Sequence, residues 1–318
     1  MTKQAAAKVS ALCTEGSYED AVRVGLQGLR SLPQSVVLHR KMAFVFAAHE
    51  RYEEAFEHIA QAEKYSDGAN AKVFAQRAAM EVVSGHGPGT AAAATAISLN
   101  PRQSQYLYSL ADHPQRGDYI VFDPGMLVYS PIPKVASTST KRLLTDVEDQ
   151  RAGTSGRGPH KRFNGKRARA DRLRLGDLDR SRYFCFAIVR DDLDRFVSYH
   201  ARNVVQAQSL VRQAGGRPEL FGLPTLPTID DLARNLRRYQ FVFNDVLHHT
   251  LPTRAYLHPD PGFYDLIVSM AELPTLAEAL SDHLGTPVTL PHELRSAQDA
   301  HSAMSVDGLN ALRAMFDA

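Results

Sequence analysis

The stretch "SPIPKVASTSTKRLL", residues 130–144, decides how this chain is read. An apolar segment, "MLVY" (126–129), leads into it through Pro131 and Pro133. Lys134 follows, then four consecutive hydroxyl residues, Ser137, Thr138, Ser139 and Thr140, and then helix-forming sequence. A helix N-terminus presents unpaired N–H groups and a partial positive charge, which makes it a ready anion site. Ordinary capping of such a helix takes one hydroxyl. Four in a row behind a lysine point to the oxygens of a phosphate or sulfate. The stretch is not a Walker P-loop, which needs Gly-x-x-x-x-Gly-Lys-Ser/Thr. No glycine lies between Gly125 and Gly153.

Outward from this stretch, residues beyond Pro101 read as α/β. Strand-length apolar runs occur at 126–132, 183–189, 253–257 ("TRAYL"), 265–270 and 287–290 ("PVTL"). Helical stretches fall at 137–150, 192–212, 228–250, 273–284 and 303–316. Such alternation predicts a mostly parallel sheet with helices on both faces. Ligands of such sheets bind at the carboxyl ends of the strands. That places 133–140 and 190–198 together at the ligand end. The second stretch, "FAIVRDDLDRFVSYH" (186–200), ends a strand at Arg190 and opens a helix with Asp191 or Asp192 as N-cap. Ser198 then lies about two turns along, on a face that can return toward Arg190. Arg190 and Ser198 would make a second oxyanion clamp. Ordinary ion pairing, Arg190 with Asp194 and Arg195 with Asp191, is the competing reading.

The N-terminal third is self-similar at a fixed step. Tyr18 and Tyr52 are 34 apart, as are Ala21 and Ala55, in the phrases "GSYEDA" and "ERYEEA". Gly28, Ala62 and Ala96 keep the same step, and so do Pro33, Asp67 and Pro101. A 34-residue period with small residues and a closing proline resembles the tetratricopeptide repeat, a helix–turn–helix unit. The third copy is degenerate, with "GHGPGT" where "YEEA" would stand. The expected organisation is an all-α helical-repeat domain over 1–104 and an α/β domain over 105–318. The repeats would present a concave surface to a protein partner, or only buttress the second domain.

Composition is globular, with 44% apolar and 23% charged residues. Net charge is +2, but residues 151–182 hold eleven Lys/Arg against three Asp, a local net of +8. That segment has one aromatic residue, Phe163, and no recognised nucleic-acid module, so a nucleic-acid partner is not expected. It suits an anionic acceptor or donor. Two cysteines, Cys13 and Cys185, argue against a disulfide framework. No run of about 18 apolar residues predicts a membrane span, and the N-terminus shows no apolar leader. A cytoplasmic location is expected.

A strand followed by "PKVASTS" and a strand followed by "RDxxxRxxS" together resemble the sulfotransferases that use 3′-phosphoadenosine 5′-phosphosulfate (PAPS). The likeness is to the Golgi carbohydrate enzymes of the heparan 2-O, chondroitin and HNK-1 groups, and covers about 120–318. "HHTLPTRAYL" (248–257), "YDLIVSMAEL" (264–273) and "LPHELRS" (290–296) add to it. It implies a P-loop-like sulfotransferase fold. It also implies that Lys134, Ser137, Thr138, Ser139 and Thr140 grip the 5′-phosphosulfate while Arg190 and Ser198 clamp the 3′-phosphate. Asp192 stands where the family has proline, and Leu294 where it often has Asn. The membrane anchor of the Golgi enzymes is not seen.

Sulfuryl transfer, like phosphoryl transfer, rests on positioning and electrostatic stabilisation. Lys134 would neutralise the leaving phosphate, and no metal-ligand cluster is expected. An acceptor hydroxyl, expected on a neutral or anionic glycan, needs a general base. The resemblance places a histidine between the two loops, which selects His160 in "GRGPHKRF". Nearby Arg157, Lys161 and Arg162 would keep it neutral. Glu148, His200 and His249 are alternatives. Two rival functions remain: a tetratricopeptide scaffold with a non-catalytic nucleotide-binding domain, and an ATP-dependent kinase-like enzyme.

Overall fold

The computed structural model describes residues 2–100, 119–152, 179–258, 260–290 and 304–316. Six helices come first: α1 (Thr2–Glu15), α2 (Tyr18–Ser31), α3 (Val36–Ala48), α4 (Tyr52–Tyr65), α5 (Ala71–Ser84) and α6 (Thr90–Leu99). Next come β1 (Ile120–Phe122), β2 (Leu127–Ser130), α7 (Ser137–Ala152), β3 (Phe184–Val189) and α8 (Asp192–Tyr199). A π-helical stretch, His200–Gln206, precedes α9 (Ser209–Gln213), β4 (Glu219–Leu220) and β5 (Leu223–Pro224). Three short helices follow: α10 (Ile229–Arg234), α11 (Leu236–Val242) and α12 (Asn244–Thr250). The last elements are β6 (Leu266–Ser269), α13 (Leu273–Leu284) and α14 (Val306–Phe316).

The chain gathers into two compact units. One holds α1–α6 together with 199–250 and α14; the other holds the sheet, α7, α8 up to Ser198, and α13. These units do not follow the compositional boundary at 104/105. The reason is visible in side chains far apart in sequence. Phe44 of α3 stacks on Phe241 of α11 at 5.2 Å and meets Phe221 edge-on at 5.8 Å. Arg238 pairs with Glu50 at 3.2 Å.

Within the helical unit, α2 and α4 both begin at the tyrosines of the 34-residue step. Ala21 and Ala55 are fully buried between neighbouring helices, as a close helix approach requires. A Cβ on Gly25 of α2 would collide with Met42 Sδ of α3, so the methionine side chain packs directly over the glycine. Ser35 caps α3 by accepting from Leu38 N, and Asn70 caps α5 by accepting from Lys72 N. Six N-terminal helices are therefore present. Pro101, the third position of the Pro33–Asp67–Pro101 step, lies outside the described residues.

The other unit is α/β. Its sheet has the order β1-β2-β3-β6, with β1 antiparallel to β2 and the remaining pairs parallel. Strand β2 and the middle of β3 are buried, which explains their unbroken apolar sequence. Two expected strands are absent. "TRAYL" is instead a 3-10 turn, Thr253–Ala255, because Asp192 and the Pro252 carbonyl take its N–H groups. "PVTL" is irregular; Val288 N donates to Ser281 Oγ at 3.0 Å rather than to a strand. The expected helix 192–212 breaks into α8, a π-helix and α9. Asp245 Oδ2 draws in Tyr199 Oη (3.0 Å), Asn203 Nδ2 (3.3 Å) and Ser209 Oγ (2.7 Å), and Gln208 turns left-handed. The expected helix 228–250 is likewise three pieces. Asn235, whose side chain donates back to Asp231 O, ends the first of them. Among the described residues no helix is long and apolar enough to cross a membrane.

Candidate functional site

Strands β2 and β3 run parallel with Ser130 opposite Ala187, so their carboxyl ends open side by side. The chain leaves β2 through Pro131, Ile132 and Pro133, all buried. It then turns sharply. Lys134 has φ +66° and Ala136 φ +53°, with Val135 between them outside the left-handed region. Neither is glycine, so each costs about 1–2 kcal/mol against the right-handed form. Residues persist in this region only where their surroundings over-determine them. Alternating handedness turns successive N–H groups toward one side, the backbone pattern of anion-binding concavities.

Helix α7 begins at once, at Ser137. Ala136 occupies the N-cap position, since Thr140 N donates to its carbonyl at 3.0 Å. The N-cap side chain is thus a methyl group and offers no acceptor. The first-turn N–H groups of Ser137, Thr138 and Ser139 have no partner along the helix. No acidic residue lies in that turn. Ser137 and Thr138 are half-buried, Ser139 is buried, and Thr140 is fully buried. Thr140 donates its hydroxyl to Ala136 O at 3.1 Å, which braces the loop from inside. Lys141, one turn on, is also buried.

The second loop leaves β3 at Arg190, which is half-buried and pairs with Asp194 at 3.5 Å. Asp191 caps α8: its Oδ1 accepts from Leu193 N (2.9 Å) and Asp194 N (3.1 Å). Ser198, buried, is nearly two turns along. The structure therefore brings Lys134 and the hydroxyl row to the carboxyl end of β2. Arg190 stands at the carboxyl end of its parallel neighbour.

Arg195 departs from its expected pairing. It bonds Asp192, not Asp191, and is almost wholly buried at 1% exposure. Its Nη1 donates to Asp192 Oδ1 (2.7 Å), Leu251 O (2.9 Å) and Thr253 Oγ1 (3.2 Å), and its Nε to Pro133 O (3.1 Å). The guanidinium also lies 5.3 Å from the centre of the Tyr256 ring. Asp192 Oδ1 further accepts from Thr253 N (2.9 Å) and Thr253 Oγ1 (2.5 Å). Sequence reasoning missed this junction. The available signal was the i, i+3 spacing of Asp192 and Arg195 on a helix.

His160, Leu294 and most of the basic 151–182 segment lie outside the described residues. Glu148 stands eleven residues beyond Ser137 on α7, about 16 Å from the N-terminal end of the helix by helix rise. His200 Nε2 lies 3.0 Å from Pro227 O, and burial lowers its pKa. His249 Nε2 lies 3.5 Å from Asp245 Oδ1 and its ring stacks on Tyr199. Among the described residues no group of three or more His, Cys, Asp or Glu could hold a metal ion.

A family model described as the sulfotransferase family matches residues 117–307, more than half of the chain. No curated protein and no solved structure matches it.

Proposed function

Because the chain belongs to the sulfotransferase family, we propose that it moves the sulfuryl group of PAPS to a hydroxyl of a carbohydrate acceptor. One observation carries the reading. A left-handed lysine loop runs straight into the first turn of a helix that carries no acidic residue there, beside an arginine that follows the neighbouring parallel strand. This is a P-loop-like way of cradling a phosphate, built without the Walker glycines.

Lys134 neutralises charge at the 5′-phosphate as it leaves, and the first turn of α7 with Ser137, Thr138 and Ser139 holds the sulfuryl and phosphate oxygens. One such preorganised donor contributes about 3 kcal/mol to the transition state. Arg190 and Ser198 hold the 3′-phosphate, and Arg190 exchanges Asp194 for that stronger anionic partner. The acceptor oxygen forms its bond to sulfur as the bond from sulfur to the 5′-phosphate oxygen breaks. The acceptor proton passes to the base, for which His160 is the choice by its place between the two loops. The six N-terminal helices are read as tetratricopeptide-like hairpins, supported by the 34-residue step from Tyr18 to Tyr52 at matching helix starts. They offer a surface to a protein partner.

The test is transfer of label from sulfur-labelled PAPS across a panel of neutral and uronate-bearing glycans, with tyrosine peptides and small phenols alongside. Label on a glycan, released by carbohydrate sulfatase, supports the reading. Label only on a peptide or phenol removes the carbohydrate, and no transfer to any acceptor favours the scaffold reading.

A further inference from the structure

Asp192 occupies a position where the resembling family has proline, and its side chain is the centre of a buried charged junction. We propose that Asp192 and Arg195 are positioning residues that set the direction of the phosphosulfate loop, an inference that rests on the sulfotransferase reading above. The peptide plane between Pro133 and Lys134 sets the geometry. In a trans peptide the carbonyl and the following N–H point opposite ways. Arg195 Nε fixes the Pro133 carbonyl inward at 3.1 Å. The Lys134 N–H is thereby aimed away from the buried guanidinium. The same bond holds the chain at the entrance to the two left-handed residues, Lys134 and Ala136.

A buried arginine costs folding energy unless it is paired and its donors are satisfied. Asp192 supplies the counter-charge, and Leu251 O and Thr253 Oγ1 take further donors. Asp192 also receives both the N–H and the hydroxyl of Thr253. Thr253 Oγ1 lies 3.4 Å from the Arg190 carbonyl oxygen. One ion pair thus ties three segments together: the loop after β2, the start of α8 after β3, and the turn at 251–253. Proline at 192 has no side-chain acceptor and could not make this junction. Lysine at 195 would keep the charge, but its single ammonium lacks the planar fork that reaches two carbonyls at once.

The experiment compares wild type with Arg195→Lys and Asp192→Asn. Affinities for 3′-phosphoadenosine 5′-phosphate (PAP) and for adenosine 3′-monophosphate are measured by calorimetry, and transfer rate at saturating PAPS. The ratio of the two affinities isolates the grip on the 5′-phosphate. Loss of a charged hydrogen bond predicts a fall of roughly tenfold or more in that ratio for Arg195→Lys. Turnover should fall by a similar factor while affinity for adenosine 3′-monophosphate stays near wild type. Asp192→Asn, which keeps the shape and loses the charge, should move the ratio the same way by roughly threefold or more. A merely structural role would lower the melting temperature and leave the ratio unmoved. The proposal is overturned if Arg195→Lys keeps the wild-type ratio, or if both affinities fall together. Should that variant show no cooperative melt, the same criteria apply to Asp192→Asn. Wild-type protein that does not distinguish PAP from AMP would instead defeat the sulfotransferase reading, a separate outcome.

Discussion

Phe44 of α3 and Phe241 of α11, 197 positions apart in the chain, stack with ring centroids 5.2 Å apart and planes 22° from parallel. The N-terminal helices and the 199–250 segment consequently share one compact unit. A chain starting near residue 105 would lose α1–α6 and expose Phe221 and Phe241, together with Arg238, whose partner is Glu50. It should aggregate or run as a broad, partly unfolded species on size exclusion. A monodisperse, cooperatively melting fragment would show that the shared core is dispensable. In the full chain, a double-mutant cycle on Phe44→Ala and Phe241→Ala should give a coupling of about 0.5–1.5 kcal/mol.

Acid should weaken the helical unit through His58. Burial, and next the nearby His39, push its pKa from 6.5 down to about 4, with Glu54 opposing. His39 Nε2 faces the Pro33 carbonyl at 2.9 Å, so it carries the proton there; His39 Nδ1 then accepts from His58 Nδ1 at 3.0 Å. The folded pKa lies below the unfolded one. The stability is therefore complete above about pH 6.5 and is lost as pH falls toward 4, with no further loss from this group below that. Because His58 is only partly buried, solvent screening reduces the loss to roughly 1–2 kcal/mol. Denaturant titrations at pH 7 and pH 4.5 measure it. His58→Gln should flatten the pH dependence, and an unchanged slope would clear this pair of any part in it.

The base is tested by His160→Ala. PAP affinity should stay nearly unchanged, and turnover should fall by roughly two or more decades. Retention of more than about a tenth of wild-type activity falls outside that range. The role would then pass to His249, His200 or Glu148.

Much of the backbone around the candidate site was legible because its signals are local. The helix start at Ser137 and the strand end at Val189 fall where the local sequence puts them, while the strand expected over 126–132 stops earlier, at Ser130. What local sequence hid was set by distant partners. "TRAYL" has strand composition, yet Asp192 takes the Thr253 N–H that a strand would have used. The four hydroxyls read as one row. Helix geometry separates them, leaving Ser137 and Thr138 partly exposed while Thr140 turns inward onto Ala136. Asp192 read only as a candidate N-cap standing where the family has proline, and it is the acceptor for three donors. Likewise the 34-residue step marks helix starts but says nothing of Phe241, which completes the helical core from beyond the sheet's first strands.

Lys134→Ala should reduce transfer by about 10²–10³-fold, the usual loss on removing one preorganised charge-stabilising donor. Affinity for adenosine 3′-monophosphate should hold, since the residue acts at the sulfuryl end. A variant that transfers at more than about a tenth of the wild-type rate would place the charge neutralisation elsewhere, with Lys141, a buried cation one turn into α7, the next candidate.

The central claim, a donor carrying a 3′-phosphate, is tested most directly by calorimetry of wild type and Arg190→Ala with PAP, AMP and ATP–Mg²⁺. A charged hydrogen bond left unmade costs roughly 1.5–3 kcal/mol. Losing the contacts to both Arg190 and Ser198 should therefore make PAP bind at least about a hundredfold tighter than AMP. Arg190→Ala should erase most of that preference and spare AMP, and Mg²⁺ should change neither affinity. Equal binding of AMP and PAP, or tightest binding of ATP with Mg²⁺, would contradict the account and put a kinase-like enzyme in its place.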